Sequence, residues 1–243
     1  MKEILIVGLG PGAESMMTGE ALAALDRADV IVGYTVYLEL LGDRYRDKEL
    51  LSTPMKQEVE RCRLCFEQAS GGRTTALVCS GDAGIYGLAS LMLELAQAYD
   101  PDIGITVVPG ITAACSGAAV LGAPINHDFC VISLSDLLTP WEVIRKRLEA
   151  AAAGDFAIVL YNPSSKKRAD HLRKACDLLL QTMKTDRPCG YVRNIGRAGT
   201  ESRVCTLREL RDAQVDMFTT VFIGNSATRI LNGRLVTPRG YQL

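Results

Sequence analysis

Ile4-Leu5-Ile6-Val7-Gly8-Leu9-Gly10-Pro11-Gly12-Ala13 runs four aliphatic residues straight into a glycine-rich turn. A short aliphatic run bounded by Gly and Pro reads as a first strand, Ile4–Leu9, with a tight glycine turn at its end. The same device recurs twice. Thr75–Cys79 precedes Ser80-Gly81-Asp82-Ala83-Gly84-Ile85-Tyr86-Gly87, and Ile105–Val108 precedes Pro109-Gly110-Ile111-Thr112-Ala113-Ala114. With a further strand predicted at Val30–Val32 and helical patterns between, the alternation predicts an α/β fold.

These four strands predict an N-terminal α/β domain over residues 1–115. The small-residue stretch from Ser116-Gly117-Ala118 to Gly122-Ala123-Pro124 is expected to carry the chain across to a C-terminal α/β domain over 116–243. There strands are predicted at Phe129–Ser133, Ala157–Tyr161, Cys189–Val192, Arg203–Cys205 and Thr219–Ile223. Thr139-Pro140-Trp141-Glu142 and Thr206-Leu207-Arg208-Glu209 both read as capping boxes opening helices. Gly154 follows an Ala-rich helix as a C-terminal stop. Ala169, Leu172, Cys176, Leu179 and Met183 form one apolar stripe.

The 243 residues are 48% hydrophobic and carry 27 basic against 28 acidic side chains. That balance excludes the basic excess of a nucleic-acid binder and the polar bias of a disordered chain. Apolar runs are broken by charge, Gly or Pro, so no membrane span is expected. The N-terminus reads as a first strand, not a leader, which predicts a cytoplasmic protein. Among eight cysteines, Cys62 and Cys65 form a lone CxxC. Neither His127 nor His171 is near it in sequence, so helical spacing explains it better than a metal site, and none is expected.

Each motif has a bland alternative. Gly8–Ala13 formally fits a dinucleotide-binding G-x-G-x-x-G/A turn, which would suggest a nicotinamide-dependent oxidoreductase. Against this, Pro11 removes an N–H, no acid ends the next strand, and the following helix starts late, near Thr18. A tight turn lining a cleft fits better. In the second turn Asp82 can accept hydrogen bonds from ribose hydroxyls or an amino group, or cap a helix. The third turn alone is a strand-to-helix connection. Successive Gly-rich turns carry more weight, because open α/β sheets bind ligands beyond their strand C-terminal ends. Finally, Lys166-Lys167-Arg168 precedes a helix whose dipole disfavours positive charge, a conflict that an anionic partner relieves. Arg193 and Arg197 can extend that basic lining.

In this order, Gly8–Gly12, Gly81–Gly87 and Val108–Ala114 resemble the tetrapyrrole methylase family, the corrin and sirohaem methyltransferases. The likeness runs from the first strand nearly to the C-terminus. Gly33-Tyr34-Thr35-Val36-Tyr37 and the stretch His127–Trp141 resemble its precorrin-3B C17-methyltransferase subfamily. So do Tyr161-Asn162-Pro163, Ile223-Gly224-Asn225-Ser226 and Thr237-Pro238-Arg239-Gly240-Tyr241. The resemblance implies two α/β domains with the active site in the trough between them, and a homodimer.

It further implies S-adenosylmethionine as cofactor, S-adenosylhomocysteine as product, and a tetrapyrrole substrate. Cofactor contacts are implied at Pro11, Ser80, Asp82, Ile85, Thr112, Ala113, Asn162 and Gly199. The implied reaction is methylation at C17 of precorrin-3B or cobalt-factor III with ring contraction. A sister corrin methylase acting at another carbon, or a pigment carrier without activity, are the alternatives. The transfer itself is a positioning problem, whereas contraction needs proton transfers. Tyr34, His127 and Asp136 are the candidate proton carriers, against plain roles in packing, a turn and a helix cap. Lys166, Arg168, Arg193 and Arg197 are candidate partners for the substrate's carboxylates.

Overall fold

A computed structural model of the chain describes residues 2–165 and 167–242. The chain divides into two compact units, one ending at Thr112 and the other beginning at Ala113.

The first unit runs β1 (Glu3–Gly8), α1 (Gly19–Arg27), β2 (Val30–Tyr34), α2 (Thr35–Glu39), β3 (Glu49–Thr53), α3 (Glu58–Ser70), β4 (Thr74–Cys79), α4 (Ala89–Ala96) and β5 (Gly104–Val108). All five strands are parallel, in the order β3-β2-β4-β1-β5. Parallel strands covered on both faces read as near-continuous apolar runs, as Ile4–Val7 of β1 and Ala76–Cys79 of β4 do. Alternation then divides the residues between faces. Ile4, Ile6, Val30, Val32, Leu77 and Cys79 lie with Cys62, Cys65, Phe66 and Met92 of α3 and α4. Leu5, Val7, Ile31, Ala76 and Val78 lie with Ala21, Ala24 and Leu25 of α1. The CxxC has helical spacing on α3, as expected, but both thiols are fully buried and not on a surface or half-buried face. Burial pushes the Cys62 thiol up to about 12 and the Cys79 thiol up to about 11. These thiols pack as small hydrophobes.

The second unit runs α5 (Ala113–Leu121), β6 (Gly122–Ala123), β7 (Phe129–Ser133), α6 (Trp141–Ala153), β8 (Ala157–Tyr161), α7 (His171–Leu179), β9 (Pro188–Arg193), β10 (Glu201–Thr206), α8 (Leu207–Leu210), β11 (Thr219–Ile223), β12 (Arg229–Leu231) and β13 (Arg234–Val236). Its main sheet has the order β10-β9-β11-β8-β7, with only β7 and β8 parallel. Helices α6, α7 and α8 cover one face through Ile144, Leu148, Leu172, Cys176, Leu179, Leu207 and Leu210. Helix α5 covers the other, where Ala114, Ala118 and Leu121 meet Val159, Val192 and Phe222.

Four local expectations change. The stretch read as a passage, Ser116–Pro124, is mostly helix α5 and strand β6. Its small residues let α5 lie close to the sheet: a Cβ on Gly117 would sit 2.8 Å from the Phe222 ring. Thr139 does not cap α6. Pro140 takes the N-cap position, and Glu142 pairs with Arg145 instead of reaching back. Ala169 is exposed ahead of α7, and Ala175 takes its place in the buried stripe. Strand β3 was not expected, because Glu49–Thr53 is a largely exposed edge strand without an apolar run. The Thr206–Glu209 capping box is present in full.

At the C-terminal ends of β1, β4 and β5 the backbones nearly touch. A Cβ on Gly110 would lie 2.1 Å from the Gly81 carbonyl oxygen, and one on Gly8 would lie 2.6 Å from the Gly110 nitrogen. Neither neighbour can swing aside, since both are backbone. Gly110→Ala is expected to cost at least about 1–3 kcal/mol, the range of overpacked sites. Gly19→Ala, where nothing lies within 4 Å of the added carbon, is expected to stay within about 0.5 kcal/mol of the wild type. Chemical denaturation of the two variants side by side checks this.

Candidate functional site

The first unit gathers its Gly-rich turns at one end of the sheet. Gly10 and Gly81 exchange both backbone hydrogen bonds, at 3.0 and 2.7 Å, and Leu9 N–H donates to the Cys79 carbonyl at 2.8 Å. Gly10 has φ +73, a conformation that favours glycine. A short 3₁₀ turn and the N-cap Thr18 follow before α1 begins. The helix N-terminus therefore does not adjoin the Gly8–Ala13 loop, and a phosphate cradle of the dinucleotide kind is not formed there.

Asp82 holds the second and third turns together. Its Oδ1 accepts the Gly84 N–H at 2.8 Å and its Oδ2 accepts the Gly110 N–H at 2.9 Å. The cap reading and the ligand reading are thus not exclusive. Each carboxylate oxygen accepts about two hydrogen bonds, and the side chain is half-buried. Beside it the turn is tight: a Cβ on Gly87 would lie 2.3 Å from the Ala83 carbonyl oxygen. Ile85 and Tyr86 are turned outward, 39% and 55% exposed, with Ile111 at 37%. Pro11 is buried, and Ser80 and Thr112 are half-buried along the same turns. A carboxylate with spare acceptor capacity, small residues and exposed aliphatic side chains suit a nucleoside with an aliphatic tail.

The second unit gathers polar groups where β7 and β8 end. Asn162, at φ +54 just past β8, donates from Nδ2 to Ser133 Oγ at 2.9 Å. The Tyr161 hydroxyl accepts the Ala114 N–H at 2.7 Å, next to half-buried Ala113. Gly199, at φ +73, lies in a turn tied by Thr200 Oγ1 to the Asn194 and Arg197 carbonyls at 2.8 and 2.9 Å.

Asp136 stands three residues beyond β7. His171 Nε2 is 3.1 Å from its Oδ2, and Arg168 Nη1 is 3.7 Å from its Oδ1. His171 is buried at the start of α7, edge-on to Trp141 with ring centroids 5.0 Å apart. Its Nδ1 faces Asp170 at 3.4 Å. The carboxylate of Asp136 keeps 35% exposure, so a buried imidazole backs a carboxylate that can still reach a ligand. His171 was not among the expected site residues, because a lone His on a helical stripe looks like core. The pairing depends on strand ends that only the fold brings together.

The other expected residues are spread. His127 is exposed at the opposite end of β7 from Asp136, where Nδ1 accepts the Asp128 N–H at 2.8 Å. Tyr34 closes β2 in the first unit, edge-on to Tyr37 at 5.2 Å. Arg193 pairs with Asp216 at 2.8 Å, and the Arg197 guanidinium lies 5.2 Å from the Phe218 ring centroid. Lys166 lies outside the described residues.

The sequence profile of the Tetrapyrrole (Corrin/Porphyrin) Methylases matches residues 3–211. The chain is 46% identical to a probable cobalt-factor III C(17)-methyltransferase of Salmonella typhimurium, over 98% of this chain and 99% of that one. It is 37% identical to a precorrin-3B C(17)-methyltransferase of a Sinorhizobium species, over 98% and 96%. Among solved structures, the methyltransferase CobJ superposes with a TM-score of 0.90 at 38% identity, covering 97% of this chain and 99% of that one.

The Asp82 clamp predicts unequal effects of two substitutions. Asp82→Ala frees two backbone N–H groups and is expected to cost about 1–3 kcal/mol of stability, whereas Asp82→Asn keeps one acceptor and costs less. Urea titration measures both. Equal stability of Asp82→Ala and wild type contradicts the clamp.

Proposed function

The chain belongs to the tetrapyrrole (corrin/porphyrin) methylases, and from that premise we propose that it methylates C17 of a cobalt-factor III or precorrin-3B type macrocycle, with contraction of the ring. It is a methyltransferase of cobalamin biosynthesis. The observation that carries the reading is near full-length identity to relatives that both bear a C17-methyltransferase name. The higher identity, 46% against 37%, favours the macrocycle that already holds cobalt. We extend the reading to S-adenosylmethionine as donor and to a homodimer in the cytoplasm. Among the described residues no helix is long and apolar enough to cross a membrane.

When bound, S-adenosylmethionine supplies a methyl group already activated on a sulfonium. The protein's task at that step is to hold the methyl in line with the acceptor carbon, and orientation of this kind provides large rate gains. Asp82, braced by two N–H groups, presents fixed acceptors to the ribose hydroxyls. Pro11, Ser80, Ile85, Thr112, Ala113, Asn162 and Gly199 contribute backbone and small side-chain contacts. The exposed aliphatic side chains of Ile85 and Ile111 exclude water from the donor.

Ring contraction needs a proton to move, and Asp136 is the carboxylate set up to take it. His171 Nε2 lies 3.1 Å from it and Arg168 stands behind, so the carboxylate has two basic neighbours before substrate arrives. Tyr34 and His127 are alternative proton carriers, Tyr34 beside Arg61 and Tyr37 and His127 beside Asp128. Lys166, Arg168, Arg193 and Arg197 offer positive charge to the substrate's carboxylates, and Arg193 can exchange its Asp216 partner for one of them.

Incubation with cobalt-factor III and with precorrin-3B, each with labelled S-adenosylmethionine, tests the reading. Mass spectrometry should show one added methyl, faster with the cobalt form, and NMR should place it at C17. Methylation at another carbon overturns the assignment. Asp136→Asn is expected to accumulate methylated but uncontracted product, with contraction slowed about 10²-fold or more, the usual contribution of one acid–base group. The pair Lys166→Ala and Arg168→Ala should weaken tetrapyrrole binding at least about tenfold, for two lost charge-assisted contacts, and leave S-adenosylhomocysteine binding unchanged in calorimetry.

A further inference from the structure

Arg61 is a buried cation without an anion. It lies in the first turn of α3 and is 4% exposed. Its Nη2 donates to the carbonyls of Thr53 and Pro54 at 3.3 and 3.0 Å. Its Nε is buried and unpartnered. None of the ion pairs among the described residues includes it. Burying an unpaired charge is strongly unfavourable, and two carbonyl contacts are partial compensation.

The surroundings follow from strand parity. Val30 and Val32 of β2 and Leu51 of β3 face α3, so Tyr34 and Thr53, two residues further on, face it as well. Those two are direct partners in the β2–β3 register, at the ends of their strands. The Arg61 guanidinium lies 5.9 Å from the Tyr34 ring centroid. The Thr53 hydroxyl is buried and, like Arg61 Nε, has no hydrogen-bond partner. Two unpartnered donors and one unpaired positive charge meet at the end of the sheet that carries the Gly-rich turns. The group that satisfies all three is a small anion able to accept two hydrogen bonds, which describes a carboxylate.

We propose that Arg61, with the Thr53 hydroxyl and the Tyr34 ring as one wall, seats a carboxylate of the acidic macrocycle's periphery. This rests on the tetrapyrrole reading above. Arg61 gives the first unit an anchor independent of the basic run at Lys166–Arg168. The bidentate fork of an arginine suits it better than a lysine would.

The test uses the full chain, wild type and three variants: Arg61→Met, Arg61→Lys and Thr53→Val. Binding of an octacarboxylate porphyrin is followed by fluorescence, binding of S-adenosylhomocysteine by calorimetry, and unfolding by a thermal scan. Arg61→Met is expected to bind the porphyrin at least about tenfold more weakly, as for loss of a charged hydrogen bond. Its S-adenosylhomocysteine affinity should be unchanged and its ligand-free Tm equal or higher, because a buried unpaired charge is gone. Arg61→Lys should recover part of the affinity, and Thr53→Val should lose a smaller part without loss of Tm.

If Arg61 only ties down the Thr53 and Pro54 carbonyls, Arg61→Met lowers Tm and leaves porphyrin affinity untouched, which overturns the proposal. Should Arg61→Met not fold, wild-type porphyrin affinity in both Arg61→Lys and Thr53→Val overturns it equally. Propionate, against chloride at the same ionic strength, separates this proposal from the functional reading. A wild type that ignores the porphyrin sinks the functional reading alone, provided propionate still raises its Tm and not that of Thr53→Val. Absence of any propionate-specific shift in that case sinks the seat too.

Discussion

Backbone-to-backbone contact among Gly8, Gly81 and Gly110 is the constraint on which the first unit's functional end depends. Three parallel strands diverge beyond their last ladder bonds unless something holds the turns together. Here the turns close on one another so tightly that no side-chain carbon fits at Gly8 or Gly110. The Gly10–Gly81 bridge and the two bonds to Asp82 then fix the exits of β1, β4 and β5 as one rigid rim. Rigidity of this kind is what a methyl transfer asks for, since the chemistry is limited by alignment and not by a strong base. It also explains why Asp82 is both structural and available. Its bonds to backbone N–H groups set its direction and leave lone pairs for a ligand.

How much of this was legible depends on where the signal lies. Short aliphatic runs report strands whether they are fully buried, as β1, β4, β8 and β11 are, or lie at a sheet edge, as β5 and β7 do, so all six could be placed within a residue or so. Strand β3 could not. Its side chains are mostly exposed at an edge, and period-two burial leaves little trace in Glu49-Leu50-Leu51-Ser52-Thr53. The β12–β13 hairpin is different, because its signal was present. Asn232 and Gly233 both have positive φ, at 50 and 74, as a two-residue Asn-Gly hairpin requires. Thr139-Pro140 misled through a competing preference. Proline's fixed φ suited the N-cap position itself, which displaced the threonine.

The site divides along the same line. Asp82 and Asn162 stand inside or directly after strand-end motifs, so their place was readable. The partner of Asp136 was not, because His171 reaches it across more than thirty residues of chain and only the parallel pairing of β7 and β8 brings the two ends together. Arg61 was hidden for a further reason. In sequence it is one of several charges in Glu58-Val59-Glu60-Arg61-Cys62-Arg63, and a charged residue on a helix reads as solvated until the helix is docked on a sheet.

The two sets of arginines point to a division of labour. In the second unit several arginines have carboxylate partners: Arg168 has Asp136, Arg193 has Asp216 and Glu201, and Arg211 has Asp177 and Asp212. The more exposed of these, the pairs of Arg193 and Arg211, are worth about 0–1 kcal/mol and exchange partners readily. They can admit a carboxylate at small cost and release it as easily, which suits the steering of an acidic substrate and the discharge of its product. Arg61 is the opposite case. Its charge is out of water, its Nε and the neighbouring Thr53 hydroxyl are unanswered, and an anion placed there gains more than at the surface. A flat macrocycle with carboxylates around its edge can slide or rotate where only exchangeable surface charge holds it. One deep, directional contact removes that freedom, and the choice of a single ring carbon requires it to be removed.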